Sequence, residues 1–375
     1  DQILSRLTWY LSPYVNLNND DFKRSVYLIG DDVTQSSINP PKFMDPKIAG
    51  EFQNFRKHLA RVESIDKIEE PIEAIICWSK AFMDKAKDLQ KLSNAAQVIC
   101  VDRETEQYES SKYLRFISNN GNMSPELISK YKSNFRDIKS KCNGRPVGIF
   151  GTGPNLDSVD LHQFQDCFNI ATNSMINAPD MLEALQPDLI VASDPIFHAG
   201  CSSYAAKFRE SLVDTIQKYN APFVFPSRDY PIYEHYLREV SDSLIGVPLL
   251  PLHDLSSARE DSFLETKDPY RLSKLLPKFN HSMAEQFYSV VTSNVMTFFL
   301  LPIAASLSDD IVGGGFDGRD PDDNSYFWKH SKTAQYNDEM DPIKLCHPAF
   351  FKVDYEEYYK NHIDILTKYL FQLES

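Results

Sequence analysis

The chain has 375 residues, enough for two domains at roughly 100–200 residues each. Hydrophobic residues make up 42% and charged residues 25%, the balance of a globular chain with a sizeable core. A formal net charge of −14 argues against a nucleic-acid backbone as main partner, since that calls for a basic face, and no run approaches the roughly 20 apolar residues of a membrane span.

Six scattered cysteines (Cys77, Cys100, Cys142, Cys167, Cys201 and Cys346) form no C-x-x-C pair. That pattern speaks against a structural zinc site and for reduced thiols in a cytoplasmic compartment. Asp1 is not a natural start and no signal-peptide pattern follows it, so the sequence reads as a piece of something longer.

In chain order, residues 1–123 form an N-terminal α/β accessory domain. Its expected strands are 25–29, 73–77 and 96–101, with a helix over 80–92. Ser124-Pro125-Glu126 carries the signals of a helix start, and that connecting helix is expected to stop at Asn143-Gly144. A larger domain over 145–350 begins with the apolar run Val147 to Phe150, which meets the glycine-rich turn Gly151-Thr152-Gly153-Pro154. Such a run ending in glycines is how a buried parallel strand meets a phosphate-binding crossover, with free amides able to face an anion. Two more strands are expected over 168–174, ending in Asn173, and over 189–194, ending in Asp194. Three strand ends in series describe the carboxyl edge of an open α/β sheet.

A helix over 202–219 and a strand over 222–225 follow. Residues 227–281, rich in Pro, Asp, Ser and Tyr, read as an insertion, either a lid or acceptor-binding loop or a structural excursion. Thr292 and Ser293 precede an apolar helical run over 295–307, where they could cap the helix and where a helix start also suits an anion. A strand over 311–317 ends in Asp317, a charged loop continues to Ser331, and the C-terminal 351–375 is a helix. The fold class is therefore α/β: a Rossmann-like, GT-A-like parallel sheet with helices on both faces, plus the smaller N-terminal domain.

His330 is the first candidate for chemistry, because an imidazole titrating near neutrality suits a general base. Asn173 could read a ribose or a base edge. Asp320, Asp322 and Asp323 form a weak D-x-D pattern for a divalent metal. No G-x-S-x-G elbow, Walker loop or H-E-x-x-H is present.

Taken together, Gly151-Thr152-Gly153-Pro154, Ala171-Thr172-Asn173-Ser174, Val291-Thr292-Ser293, Gly315-Phe316-Asp317 and Lys329-His330-Ser331-Lys332 resemble, in order and spacing, bacterial sialyltransferases of the Campylobacter lipooligosaccharide type. The resemblance covers about residues 145–335. Its first block is also similar to a wider group with G-x-G-P-S-L turns, which includes motility accessory factor proteins and an archaeal hydroxymethylpterin diphosphokinase. The resemblance implies that Gly151, Thr152, Gly153, Pro154 and Asn173 hold the nucleotide of a CMP-sugar; Asp194, at the third strand end, is a further donor-binding candidate. It implies that Thr292 and Ser293 contact the donor's phosphate or carboxylate and that Asp317 lies near the ribose. Tyr326 would hydrogen-bond the leaving phosphate and His330 would be the catalytic base. Arg319 stands where the family has a second tyrosine, Val290 where it has an arginine, and Asn294 where it has a glycine.

The expected activity is inverting transfer of a 2-keto sugar acid (sialic acid, Kdo or a related nonulosonate) from CMP to a cell-surface glycan or glycolipid. No cofactor or metal is expected, because the leaving group is a monophosphate. The expected location is cytoplasmic, with peripheral contact at the inner face of the membrane, and an oligomer is compatible with this. Two alternatives stay open. One is an ATP- and magnesium-dependent pyrophosphokinase-like enzyme with Asp194 and the D-x-D aspartates as ligands; the other is a non-catalytic polysaccharide-assembly protein.

Overall fold

The computed structural model describes residues 26–29, 44–55, 59–62, 67–72, 74–77, 83–93, 97–100, 124–251, 287–289, 294–316 and 331–346. The N-terminal part contributes β1 (Val26–Ile29), α1 (Pro46–Phe55), β2 (Leu59–Val62), β3 (Ala74–Cys77), α2 (Met83–Ser93) and β4 (Gln97–Cys100). β1 pairs in parallel with β2, a strand the sequence pattern does not announce, and β3 pairs in parallel with β4 across α2. These are two separate pairs among the described residues, where a single small sheet is expected from the sequence.

α3 (Pro125–Cys142) then begins where its local signals place it. The Ser124 hydroxyl accepts the Leu127 amide, Pro125 occupies the first turn, and Asn143 closes the helix in the left-handed region at φ 49°. β5 (Val147–Phe150), β6 (Phe168–Thr172), α4 (Pro179–Leu185), β7 (Leu189–Val191), α5 (Pro195–Ala199), α6 (Ser203–Tyr219), β8 (Phe223–Pro226), α7 (Tyr230–Tyr236) and β9 (Leu244–Val247) follow. β10 (Leu249–Pro251) pairs in parallel with β11 (Phe287–Ser289). A π-helical turn over Met296–Leu300 runs into α8 (Leu301–Leu307), and β12 (Ile311–Gly314) and α9 (Met340–Cys346) complete the described elements. The widened turn sits just ahead of Pro302, whose ring would collide with an earlier carbonyl in a regular helix and which has no amide to give.

The main sheet is six-stranded, wholly parallel and Rossmann-like, in the order β12-β5-β6-β7-β8-β9. β5 to β8 are buried at every position, as strands covered on both faces must be. Successive residues alternate between two cores. Val147, Ile149, Phe168, Ile170, Leu189 and Val191 pack beneath Tyr131, Phe135 and Ile138 of α3 and the helical stretch 296–307. Phe150, Ala171, Ile190, Phe223 and Phe225 pack against α4 to α7. α1 joins this second core through Ile48.

Three expectations need correction. β9 pairs with β8 over Phe223 to Pro226, so residues 244–247 belong to the main sheet and not to an insertion. β6 stops at Thr172, because Asn173 turns to φ +50° and opens a 3₁₀ turn. β7 stops at Val191, and Asp194 caps α5 instead of ending a strand.

Residues 44–51, within the stretch read as an accessory domain, are tied into the main core. Met44 bridges to Ser202, and the Asp45 amide donates to the Cys201 carbonyl (2.9 Å). The Asp45 carboxylate accepts from the Arg209 guanidinium, which also donates to the Gly200 carbonyl (2.8 Å) and lies over the Tyr236 ring. Both charged side chains are buried, so neither can fall back on water. Asp45→Ala strands a buried cation and is expected to cost about 3–5 kcal/mol of stability, read by urea titration monitored by circular dichroism. A loss under 1 kcal/mol would mean that α1 is not held by this pair.

Candidate functional site

From β5 the chain steps through β6, β7, β8 and β9 in one direction, while β12 is added on the other side of β5. The carboxyl ends of β5 and β12 therefore flank the point where strand order reverses, the place where open α/β sheets bind ligands. The β12–β5 ladder ends with the pair Gly314 and Phe150. Beyond it the Gly151 amide donates to the Gly314 carbonyl (2.9 Å) and the Gly153 amide to the Gly315 carbonyl (3.0 Å).

These two amides are expected from the sequence to face an anion; they are engaged with β12 and its extension instead. The glycines serve close approach. A Cβ on Gly151 would collide with the Gly315 carbonyl oxygen and lie 2.8 Å from the Phe316 ring. A Cβ on Gly315, at φ +72°, would lie 2.5 Å from the Gly151 oxygen and 2.9 Å from Leu156.

One strand over, Thr172 Oγ1 and Asn173 Oδ1 are buried without a hydrogen-bond partner. At the next strand end, Asp194 Oδ1 accepts the Ile196 and Phe197 amides (2.9 and 3.2 Å), with Pro195 in the first turn of α5. His198 of α5 is 3% exposed, its ring centroid is 4.3 Å from that of Phe208, and its Nδ1 has no partner. Burial pushes its pKa down to about 4 against the opposing pull of the Asp194 carboxylate, so the imidazole is neutral at neutral pH.

Across this edge runs the segment 331–336. The Ser331 amide donates to the Thr152 carbonyl (2.9 Å), and its fully buried hydroxyl donates to Asp157 Oδ1 (2.5 Å). The Lys332 amide donates to Asp157 Oδ2 (2.9 Å) and the Thr333 hydroxyl to Oδ1 (3.4 Å). Burial pushes the Asp157 carboxyl upward, but these three hydrogen bonds outweigh it and hold the group below the usual carboxylate range. Further along, the Ser174 hydroxyl donates to the Ala334 carbonyl (2.8 Å), and Asn177 Nδ2 to the Thr333 and Gln335 carbonyls. The Tyr204 hydroxyl donates to Gln335 Oε1 (2.7 Å).

Of the residues singled out from the sequence, Gly151, Thr152, Gly153, Pro154, Asn173 and Asp194 gather at the carboxyl ends of three adjacent strands. Thr292, Ser293, Asp317, Arg319, Asp320, Asp322, Asp323, Tyr326 and His330 lie outside the described residues. Asn294, which follows Thr292 and Ser293 in the sequence, accepts the Met296 amide on its Oδ1 (2.9 Å). Phe316, which precedes Asp317, lies against Gly151, and Ser331, which follows His330, is bonded to Thr152. Phe316 and Ser331 thus both lie against the same glycine turn.

Asp157 and His198 were not singled out by the sequence pattern. The partners of Asp157 lie more than 170 positions away, and His198 sits in a five-residue helix with no motif around it. Among the described residues no group of three or more His, Cys, Asp or Glu side chains could hold a metal ion, and no helix is long and apolar enough to cross a membrane. Comparison with family models, curated proteins and solved structures finds no match to this chain.

The neutral burial of His198 makes stability depend on pH. Unfolding lets the ring take a proton below its ordinary pKa near 6.5, whereas the folded ring resists protonation down to about 4. Its contribution is present above pH 6.5 and is lost as pH falls through that window, up to about 3 kcal/mol in all. His198→Phe is expected to shallow the decline in unfolding free energy between pH 7 and 4; curves that stay parallel for the two proteins would exclude this origin.

Proposed function

We propose that the chain is an inverting glycosyltransferase of GT-A-like type that moves a 2-keto sugar acid from a CMP donor to a glycan or glycolipid acceptor. The observation that carries the reading is the return of the chain to the switch point. Phe316, which precedes Asp317 in the sequence, and Ser331, which follows His330, both lie against the Gly151–Gly153 turn. The buried, unpaired Asn173 Oδ1 supports a nucleotide there, because it is an acceptor that a base amine or ribose hydroxyl can satisfy.

In this reading the acceptor hydroxyl attacks the anomeric carbon as the bond from that carbon to the phosphate oxygen breaks. CMP leaves with the electron pair, the configuration inverts, and His330 takes the hydroxyl proton. Tyr326, Ser293 and Arg319 donate to the phosphate as its charge grows, Thr292 contacts the donor's phosphate or carboxylate, and Asp317 lies near the ribose. Asp194 keeps its place at the donor side through its cap on α5. A monophosphate leaving group carries too little charge to require a metal. Work on a surface glycolipid would place the enzyme in the cytoplasm, at the inner face of the membrane.

A thermal-shift panel of CMP, CDP, UDP, GDP and ATP, each with magnesium and with EDTA, tests the donor class. CMP without metal is expected to stabilise selectively, by about 2.7 kcal/mol at 100 times its dissociation constant. His330→Ala should keep that shift and lose about 10²–10⁴-fold in transfer rate. Stabilisation by ATP alone, and only with magnesium, would overturn the transferase in favour of a pyrophosphokinase-like enzyme.

A further inference from the structure

We infer that the open edge of β12 pairs with a second copy of this chain, joining two main sheets edge to edge across a two-fold axis. The sheet has two edge strands, and they differ in exposure. β9 is buried at all four positions, whereas β12 is partly exposed along its length and Gly313 is exposed outright. Among the described residues no strand pairs with β12 on its outer side. The register identifies the backbone groups on that side. The Val147 amide donates to the Asp310 carbonyl and the Gly151 amide to the Gly314 carbonyl, with the pairs running from Ile311 and Val147 to Gly314 and Phe150. Backbone groups alternate in direction along a strand, so Asp310, Val312 and Gly314 serve β5. The amides and carbonyls of Ile311 and Gly313 therefore face away from the sheet, a row that templates another strand. The exposed charges that would blunt such an edge, Asp309 and Asp310, stand just before the strand and not on it.

The strand's own sequence selects a second copy as the occupant. Antiparallel pairing centred on Val312 sets Ile311 of each copy opposite Gly313 of the other. Each such pair exchanges two hydrogen bonds, so every outward group of the strand is used. The branched Ile311 side chain then stands across from a residue with no side chain. The same pairing sets Asp310 opposite Gly314 and Asp309 opposite Gly315, which keeps the exposed acids of the two copies at opposite ends of the contact. A parallel strand of like sequence would put them side by side. The contact is isologous and closes at two copies. It also brings the acids of one copy beside the end of β12 in the other, where Gly315 passes Gly151. A four-residue strand makes a small contact and each copy carries a net charge of −14, so the association is reversible and is opposed by repulsion at low salt.

Sedimentation equilibrium on the full chain should show the 43.0 kDa species in exchange with one of twice that mass. The expected Kd is about 10–100 μM, falling about tenfold between about 20 and 300 mM salt as the repulsion is screened. Hydrogen exchange at residue resolution locates the contact. The Ile311 and Gly313 amides should exchange about tenfold more slowly at about 300 μM chain than at about 1 μM, while the Val312 and Gly314 amides, bonded to β5, keep one rate. Ile311→Pro removes an outward amide at the first position of the strand, where proline is tolerated, and leaves the bonds to β5 in place. It should raise Kd about tenfold or more, whereas Ile311→Val, which keeps the amide, should hold Kd within about threefold. A chain that stays monomeric at about 300 μM, or a dimer in which the Ile311 and Gly313 amides stay fast, overturns the inference. So does slow exchange of those two amides that does not change with concentration, since the edge is then covered within one chain.

Discussion

The closeness of two backbones governs this molecule. Gly151 and Gly315 pass so near each other that neither has room for a Cβ, and each glycine's carbonyl is what the other's Cβ would strike. That approach lets the β12–β5 ladder run past its last formal pair, through the Gly151 and Gly153 amides. The consequences follow in order. Phe316 comes to rest against Gly151, and Ser331 bonds to Thr152. A crevice at a strand-order reversal is common to open α/β sheets. Here the two backbones at that reversal come from chain segments far apart in sequence, brought together by a contact that only glycine permits.

The two ends of the sheet treat polar groups differently. At the amino end, Asp188 accepts from the Asn169 amide (3.2 Å) and pairs with Arg145 and Lys141, while Arg145 also donates to the Cys167 carbonyl (3.1 Å). The orphan there, Asn169 Oδ1, fills the space that a side chain on Gly148 would need. At the carboxyl end, Thr172 Oγ1, Asn173 Oδ1 and His198 Nδ1 are all buried and unpartnered. Each such group costs about 1–3 kcal/mol when left unsatisfied. The carboxyl end thus carries three such groups, at the end of β6 and on α5, where the amino end carries Asn169 Oδ1.

How much of this could be read from the sequence depends on the range of the interaction. The helix over Pro125–Cys142 was legible at both ends because its determinants are within three residues of them: Ser124, Pro125, Asn143. β5 was legible because four apolar residues ending in glycine admit few other structures. β9 was not, since Leu244–Val247 is short and flanked by serine and proline, and its partner β8 is what makes it a strand. Gly151 and Gly153 do mark a close backbone approach after β5, and the approaching group is β12 and its extension. Their spacing announces a backbone approach without saying whether the approaching group is a phosphate or another strand. Asp157 was illegible in principle, because a carboxylate reaching across the fold to Ser331 leaves no periodic or local trace.

That last point bears on when the site comes into being. β5 to β9 follow one another in the chain and can assemble by pairing with sequence neighbours. β12 must return across the whole intervening stretch to dock on β5, which makes it the most non-local pairing in the sheet. The Gly314 and Gly315 carbonyls, the Phe316 contact, the Ser331 anchor and the Asp157 bonds all depend on that docking. Before it, β5 and β6 would present a glycine turn and unpaired polar atoms with nothing opposite them. The arrangement at this edge is therefore a product of the docking of β12 and not of any one motif, and its integrity is tied to the stability of a single edge strand of four residues.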